Sequence, residues 1–449
     1  MKKAPSPIVS LIPIIVLVLL LFATIRTFGS DALSGGSQVS LLTTTAICIL
    51  IGMVFYKIPW KDYELAITNN IAGVATAIII LLIIGALSGI WMISGVVPTL
   101  IYYGMQIIHP SFFLASTCII CALISVMTGS SWTTIATIGI ALMGIGKAQG
   151  FEDGWIAGAI ISGAYFGDKI SPLSETTILA SSITDTPLFR HIRYMMITTV
   201  PSLVITLIIF TVAGFSHDAN NTQHIAEVAT ALNEKFHITP WLLIVPVATG
   251  ILIAKKVPSI VTLFLSTLLA AVFALIFQPD LLEEISGIAA SGFDSLFKGL
   301  MMTIYGETNL HTDNAVLTDL IATRGMSGMM NTIWLILCAM CFGGAMTASG
   351  MVGSITSIFV RFMKKTVSVV SATVCSGLFL NLTTADQYIS IILTGNMFRD
   401  IYAKKGYESC LLSRTTEDAV TVTSVLIPWN SCGMTQATIL SLSLIHISE

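Results

Sequence analysis

Residues 8–28 run through isoleucine, leucine, valine and phenylalanine with a single charge, Arg26. Runs of similar character recur at 39–56, 71–97, 195–215, 241–254, 260–277 and 331–350. A bilayer core takes roughly 20 helical residues to cross, and within it every backbone amide and carbonyl must be bonded inside the protein. These runs predict helices; barrel strands would alternate apolar and polar over about ten residues. Of 449 residues 55% are hydrophobic and 10% charged, against about 25% charged in soluble domains. The fold class is therefore all-α and polytopic, with about 10–12 transmembrane helices expected from the number of runs.

Four further runs are interrupted: 112–146, 155–183, 352–362 continuing into 367–400, and 419–441. The first half holds Ser125-Val-Met-Thr-Gly-Ser-Ser-Trp-Thr-Thr-Ile-Ala136, followed about forty residues later by Asp168 to Thr177. The second holds Leu378-Phe-Leu-Asn-Leu-Thr-Thr-Ala-Asp-Gln-Tyr-Ile-Ser390, followed at similar distance by Ser424 to Gly433. Interrupted apolar segments at matching positions point to inverted repeats with broken helices or re-entrant hairpins, and to a transport site between the repeats. The domain reading is a first transmembrane half over 1–284, a connection over 285–330 carrying Glu307, His311 and Asp313, and a second half over 331–441. Residues 442–449 resemble the translation of a sequencing-library adapter and are expected to be non-native.

The most polar interruption runs from Ala164 to Ala180 and includes Asp168, Lys169, Pro172 and Glu175. Each such charge costs about 2.5–3.5 kcal/mol at membrane depth on insertion scales, so a chain that keeps it uses it. A carboxylate at a helix break can trade a proton for Na⁺, because burial disfavours its charged form and a bound cation favours it. Asp168 is the leading candidate, the competing reading being a structural pair with Lys169. Glu175 fits a proton-coupling role or simple complementarity to a helix N-terminus. Ser171, Ser174 and Thr177 offer oxygens suited to a hard cation, or bonds to their own helix backbone. In the second half Asp386 has no basic residue within ten positions, and Asn381 and Thr384 stand close to it. Ser130, in the Thr128–Thr133 stretch, completes the set; there and at Asn430 helix packing by small residues competes. Asp168 and Asp386 are the expected ligands of a transported Na⁺. Glu417 and Asp418 are read as marking the start of the last span.

Other features exclude more than they assign. Cys118-x-x-Cys121 and Cys338-x-x-Cys341 lack nearby histidines and read as small residues on helix faces. No hydrolase elbow, phosphate loop or zinc motif occurs. No enzyme activity, resident cofactor or nucleic-acid partner is expected. The connections 29–38 and 98–111 hold one aspartate and no lysine or arginine, whereas Lys2, Lys3, Lys57, Lys61, Lys147, Arg190, Arg193, Lys255 and Lys256 lie at the alternate ends. The positive-inside rule then places the N-terminus in the cytoplasm, with 8–28 as a retained first helix. With Lys147 and Arg190 on one side, 155–183 is predicted to enter and return as a hairpin.

The run Gly167-Asp-Lys-Ile-Ser-Pro-Leu-Ser-Glu-Thr-Thr177 closely resembles the signature of the NhaC family of Na⁺/H⁺ antiporters. Thr128-Gly-Ser-Ser131, Arg324 to Met330, Gly343-Gly344 and Thr383-Thr-Ala-Asp386 support the resemblance over about residues 8–440. It implies a multi-pass protein of the bacterial inner membrane that exchanges Na⁺ or Li⁺ for H⁺ and belongs to a superfamily of ion transporters with inverted repeats. The alternative within the family is Na⁺/H⁺-coupled exchange of organic anions such as malate and lactate, for which Lys169 is the charge partner. Membrane lipid is an expected partner, and a homodimer is expected from transporter habit alone.

Overall fold

The computed structural model describes residues 5–28, 35–216, 222–308, 310, 318, 321–355 and 366–442. Lys2, Lys3, His311, Asp313, part of the 352–362 run and the tail from 443 lie outside them. The described residues contain helices and no strand. In order these are α1 (Pro7–Phe28), α2 (Gly36–Tyr56), α3 (Trp60–Gly73), α4 (Ala75–Ile93), α5 (Val96–Ile107), α6 (Phe113–Thr128) and α7 (Ser131–Thr134). After a π-type stretch come α8 (Ile140–Ala148), α9 (Asp153–Ile170), α10 (Glu175–Ile183), α11 (Leu188–Ser216), α12 (Thr222–Lys235), α13 (Ile244–Ala254), α14 (Ser259–Phe277), α15 (Pro279–Ser286) and α16 (Phe293–Tyr305). The last five are α17 (Met330–Ala348), α18 (Thr366–Thr384), α19 (Gln387–Lys404), α20 (Ser409–Ser424) and α21 (Ser431–Ile439). Among the described residues eight helices are long and apolar enough to cross a membrane, or nine with the bent pair Glu227–Lys235 and Pro240–Ala254. Of the broken elements only Pro110–Thr128 and Thr366–Thr384 pass that test singly, which separates this number from the ten to twelve expected.

The chain is an all-α, multi-pass membrane protein. Large apolar side chains on α11, including Val204, Ile205, Ile208 and Val212, stand exposed along its length, as a helix facing lipid requires.

Two elements of one design position the centre. In the first, α6 and α9 run parallel and nearly touch through backbone. A Cβ at Gly163 would meet the Cys118 carbonyl oxygen at 2.2 Å, and one at Gly167 the Ala122 carbonyl oxygen at 2.4 Å. Small residues at this spacing let two membrane helices approach closely, and Cys118 and Cys121 form part of the same packed face. The chain turns at Gly129, whose φ is 66°, and α7 and α8 return alongside α6. Gly146 packs on Phe113, Phe113 stacks near Phe151 at 5.3 Å, and the Gln149 amide donates to the Ile108 carbonyl at 2.9 Å. Residues 113–148 are thus a hairpin inserted from one face.

From that same face α9 enters, breaks at 171–174 and continues as α10 toward the other. There Gly395 packs on Ile183, and Arg399 pairs with Asp185 at 3.3 Å. The expected 155–183 hairpin is therefore corrected. The hairpin is the preceding run, 153–183 crosses, and Lys147 lies on the face opposite Arg190. Lys147 pairs with Asp153 at 3.2 Å, so its charge carries little weight as a topology signal.

The second element is inserted from the opposite face. Here α18 and α19 fold back on each other, with the Thr373 and Tyr402 hydroxyls 3.0 Å apart. Parallel to α18, α20 enters, breaks at 425–430 and continues as α21 to where the Thr438 and Thr332 hydroxyls meet. Because α20 begins at Ser409, Glu417 and Asp418 lie within a helix and do not mark its start as the sequence reading had it. Long α11 links the faces. Near its start Arg190 pairs with Glu408 at 2.8 Å, and near its end Phe215 meets Phe112 at 5.1 Å. The Cys410 thiol and Arg190 together hold the Glu408 carboxyl below its ordinary range.

The 285–330 connection contributes α16, whose Gly299 abuts the Leu282 carbonyl oxygen while the Thr303 carbonyl lies against Gly89 of α4.

Replacing Gly163 by valine would force α9 off α6, since the obstacle is backbone. Overpacking of this kind costs about 1–3 kcal/mol. Gly163→Val should melt clearly below the wild type in detergent, whereas Gly154→Ala, with open space at its Cβ, should not.

Candidate functional site

Four helix breaks meet near the centre, and each exposes amides that a side chain must satisfy. Ser130 accepts from the Thr133 amide at 3.2 Å, and Ser174 from the Thr177 amide at 3.4 Å. Asp386 Oδ1 accepts from the Ile389 amide at 3.0 Å, and Asn430 Oδ1 from the Cys432 amide at 3.1 Å. Polar residues of the kind preferred at helix starts occupy these positions for that reason.

Most of the hydroxyls read from sequence as cation ligands are bonded to backbone. Ser171 Oγ donates to the Val126 carbonyl at 2.8 Å, and Thr177 Oγ1 to the Lys169 carbonyl at 3.1 Å. Thr384 Oγ1 bonds the Leu380 and Asp386 carbonyls at 3.0 and 3.1 Å. Asn381 Nδ2 donates to the Val420 carbonyl at 2.7 Å, and Asn430 Nδ2 to the Asn381 carbonyl at 3.2 Å.

The carboxylates are placed differently. Asp168, 5% exposed, accepts from Ser131 Oγ at 2.8 Å, with Ser174 beside it. Asp386, 2% exposed, accepts from Ser431 Oγ at 3.1 Å. Each aspartate thus takes a serine from the first residue of the helix after the neighbouring break. Both line a single cavity of about 740 Å³, together with Ser130, Glu175, Tyr388 and Lys256. Glu175 is exposed to it and accepts from the Tyr388 hydroxyl at 3.0 Å, a bond joining the two elements. Ser171, Ser174, Thr177, Asn381 and Thr384 stand outside the lining.

Lys169 points elsewhere. Although buried, its ammonium pairs with Asp418 of α20, which also accepts from Thr198 Oγ1 at 3.0 Å and has Arg414 at 3.9 Å. It is paired neither with Asp168 nor directed into the cavity.

Sequence reasoning passed over Ser131 and Ser431 as donors, Tyr388 and Lys256 in the lining, and the burial of Glu417. For the serines a signal existed: each directly follows a residue already singled out, Ser130 or Asn430.

A family model described as the Na⁺/H⁺ antiporter family matches residues 163–449. The chain is also 35% identical over 406 residues to the Na⁺/H⁺ antiporter NhaC of Bacillus subtilis, covering 90% of this chain and 86% of that one. The chain belongs to the NhaC family of Na⁺/H⁺ antiporters. It is 36% identical over 402 residues to NhaC of Alkalihalophilus pseudofirmus, covering 89% of this chain and 84% of that one. It is equally similar, 36% over 408 residues, to a malate-2H⁺/Na⁺-lactate antiporter of Bacillus subtilis, covering 90% of this chain and 84% of that one. The resemblance read from the Gly167–Thr177 run is borne out.

The Lys169–Asp418 pair can be tested as structure. Removing one partner of a buried pair strands a charge at a cost of about 3–5 kcal/mol; partial exposure of Asp418 and nearby Arg414 put this case at the low end. Lys169→Met should lower the melting temperature in detergent, and adding Asp418→Asn should recover most of the loss.

Proposed function

We propose that this chain is a secondary active antiporter exchanging Na⁺ or Li⁺ for H⁺ by alternating access across the bacterial inner membrane. The observation that carries the reading is one cavity lined by two buried aspartates from oppositely inserted elements. Residues 113–183 and 366–439 are then the operative inverted repeats within the halves 1–284 and 331–441, and the exposed apolar belt meets lipid. Asp168 is the exchange site: Na⁺ arriving from the cavity displaces its proton, with Ser131 orienting the carboxylate. Asp386 contributes negative charge from the facing repeat, and Glu175, tied to Tyr388, sits on the approach.

Orientation follows from charge. Lys57, Lys61, Arg193, Lys255 and Lys256 gather on one face with Arg190, which pairs with Glu408, whereas Lys147, Lys235 and Arg324 on the other are paired with Asp153, Glu284 and Glu307. By the positive-inside rule the first face is cytoplasmic. The N-terminus then lies in the cytoplasm, and the cavity, with Lys256 and Ser259 in its wall, opens there.

In proteoliposomes carrying an internal pH dye, added Na⁺ should move protons, and Asp168→Asn should abolish the response. Protons and Na⁺ competing for one carboxylate set the sign of the pH dependence. Acidification fills the site with protons, so apparent Na⁺ affinity should fall as pH falls, by up to roughly tenfold per pH unit. A pH-independent Na⁺ affinity would refute competition.

Exchange of carboxylates is the second reading, favoured by Lys256, the one cation in the cavity lining, and by the malate–lactate relative. Lys169, engaged by Asp418, no longer serves it. If anions are carried, Lys256→Gln should suppress malate-dependent flux. If Na⁺/H⁺ exchange is the activity, malate should be without effect in the wild type.

A further inference from the structure

Glu417 lies in the middle of α20 and is 0% exposed, and neither of its carboxylate oxygens has a hydrogen-bond partner among the described residues. It is absent from the cavity lining, yet its carboxyl faces Thr176 of α10, which does line the cavity, and Thr421 of its own helix. The charged and titratable groups around it are few. On α9 stand Lys169 and Asp168, on α20 Arg414 and Asp418, on α10 Glu175, and on α11 His191, whose Nδ1 shares a hydrogen bond with Ser413. Among the described residues Lys169 is the cation whose charge acts on Glu417, and it is committed to Asp418.

A buried carboxylate faced only by two hydroxyls, with no cation of its own, is disfavoured as an anion. While the Lys169–Asp418 pair holds, a proton on Glu417 itself removes the cost of burying its charge. The pocket offers two hydroxyls and no water-exposed oxygen cage, which suits a proton better than a metal ion.

We propose that Glu417 is a second proton-carrying carboxylate of the transporter, loaded on the side from which protons enter together with Asp168, and unloaded past Thr176 into the cavity as Na⁺ takes Asp168. The proposal rests on the antiport reading and adds to it. On loading, an O–H bond of hydronium breaks as one forms at a Glu417 oxygen; on release the Glu417 O–H bond breaks and one forms on water in the cavity. No heavy-atom bond changes. Each cycle then carries one proton more than exchange at Asp168 alone.

The test uses the full chain in two measurements. The first is the proton-to-sodium ratio, from the reversal potential of Na⁺-driven flux in proteoliposomes. Glu417→Gln should exchange with one proton fewer per cycle, and Glu417→Asp should keep the wild-type ratio. An unchanged ratio in Glu417→Gln overturns the proposal. The second is infrared spectroscopy of the purified protein, which needs no transport. A protonated-carboxyl band present in the wild type, absent in Glu417→Gln and shifted in Glu417→Asp supports the assignment; a band unaffected by both substitutions overturns it. Wild-type liposomes silent to Na⁺ would sink the antiport reading alone, leaving Glu417 to be decided by the infrared result.

Discussion

A helix that stops at mid-membrane releases amides and carbonyls where no lipid can bond them. Four such stops meet in this protein, and much of the polar chemistry at its centre answers that demand. Ser130, Ser174, Asp386 and Asn430 cap the outgoing half-helices, while Ser171, Thr177, Asn381 and Thr384 occupy freed carbonyls. The cavity and its carboxylates exist because the breaks are held open at this cost. Asp386 serves both purposes, with one oxygen on the backbone and the other on Ser431.

That double demand explains how far the sequence could be read. Glycine, proline and aspartate inside apolar runs mark each break directly, so the broken helices and both buried aspartates were legible. The division of labour among the hydroxyls was not. A serine that caps a helix and one that ligates an ion share the same residue type and spacing, and only the geometry separates Ser174 from Ser131. The direction of the hairpin was lost for an electrostatic reason. Lys147 counts as a topology marker only when its charge is unopposed, and Asp153, six residues on, opposes it.

The polar helix α20 was misread for a related cause. Ser409, Ser413, Arg414, Thr415 and Thr416 hold its hydropathy down, so an apolar reading begins the span near residue 419 and leaves Glu417 and Asp418 outside it. Buried neighbours on α9, α10 and α11 accept those groups. One local clue survives in the chain, the Arg414 and Asp418 pair at i,i+4 spacing, which marks a helix already under way.

The carbonyl-to-glycine contacts between α6 and α9 have a mechanical corollary. Two helices meeting at Gly163 and Gly167, with only the short side chains of Cys121 and Ser125 beside the backbone contacts, have little cushion to shear, so they move as one strut. Shape change is left to the surface joined by slender links such as the Tyr388–Glu175 bond, a latch that is cheap to undo and whose release costs the strut nothing.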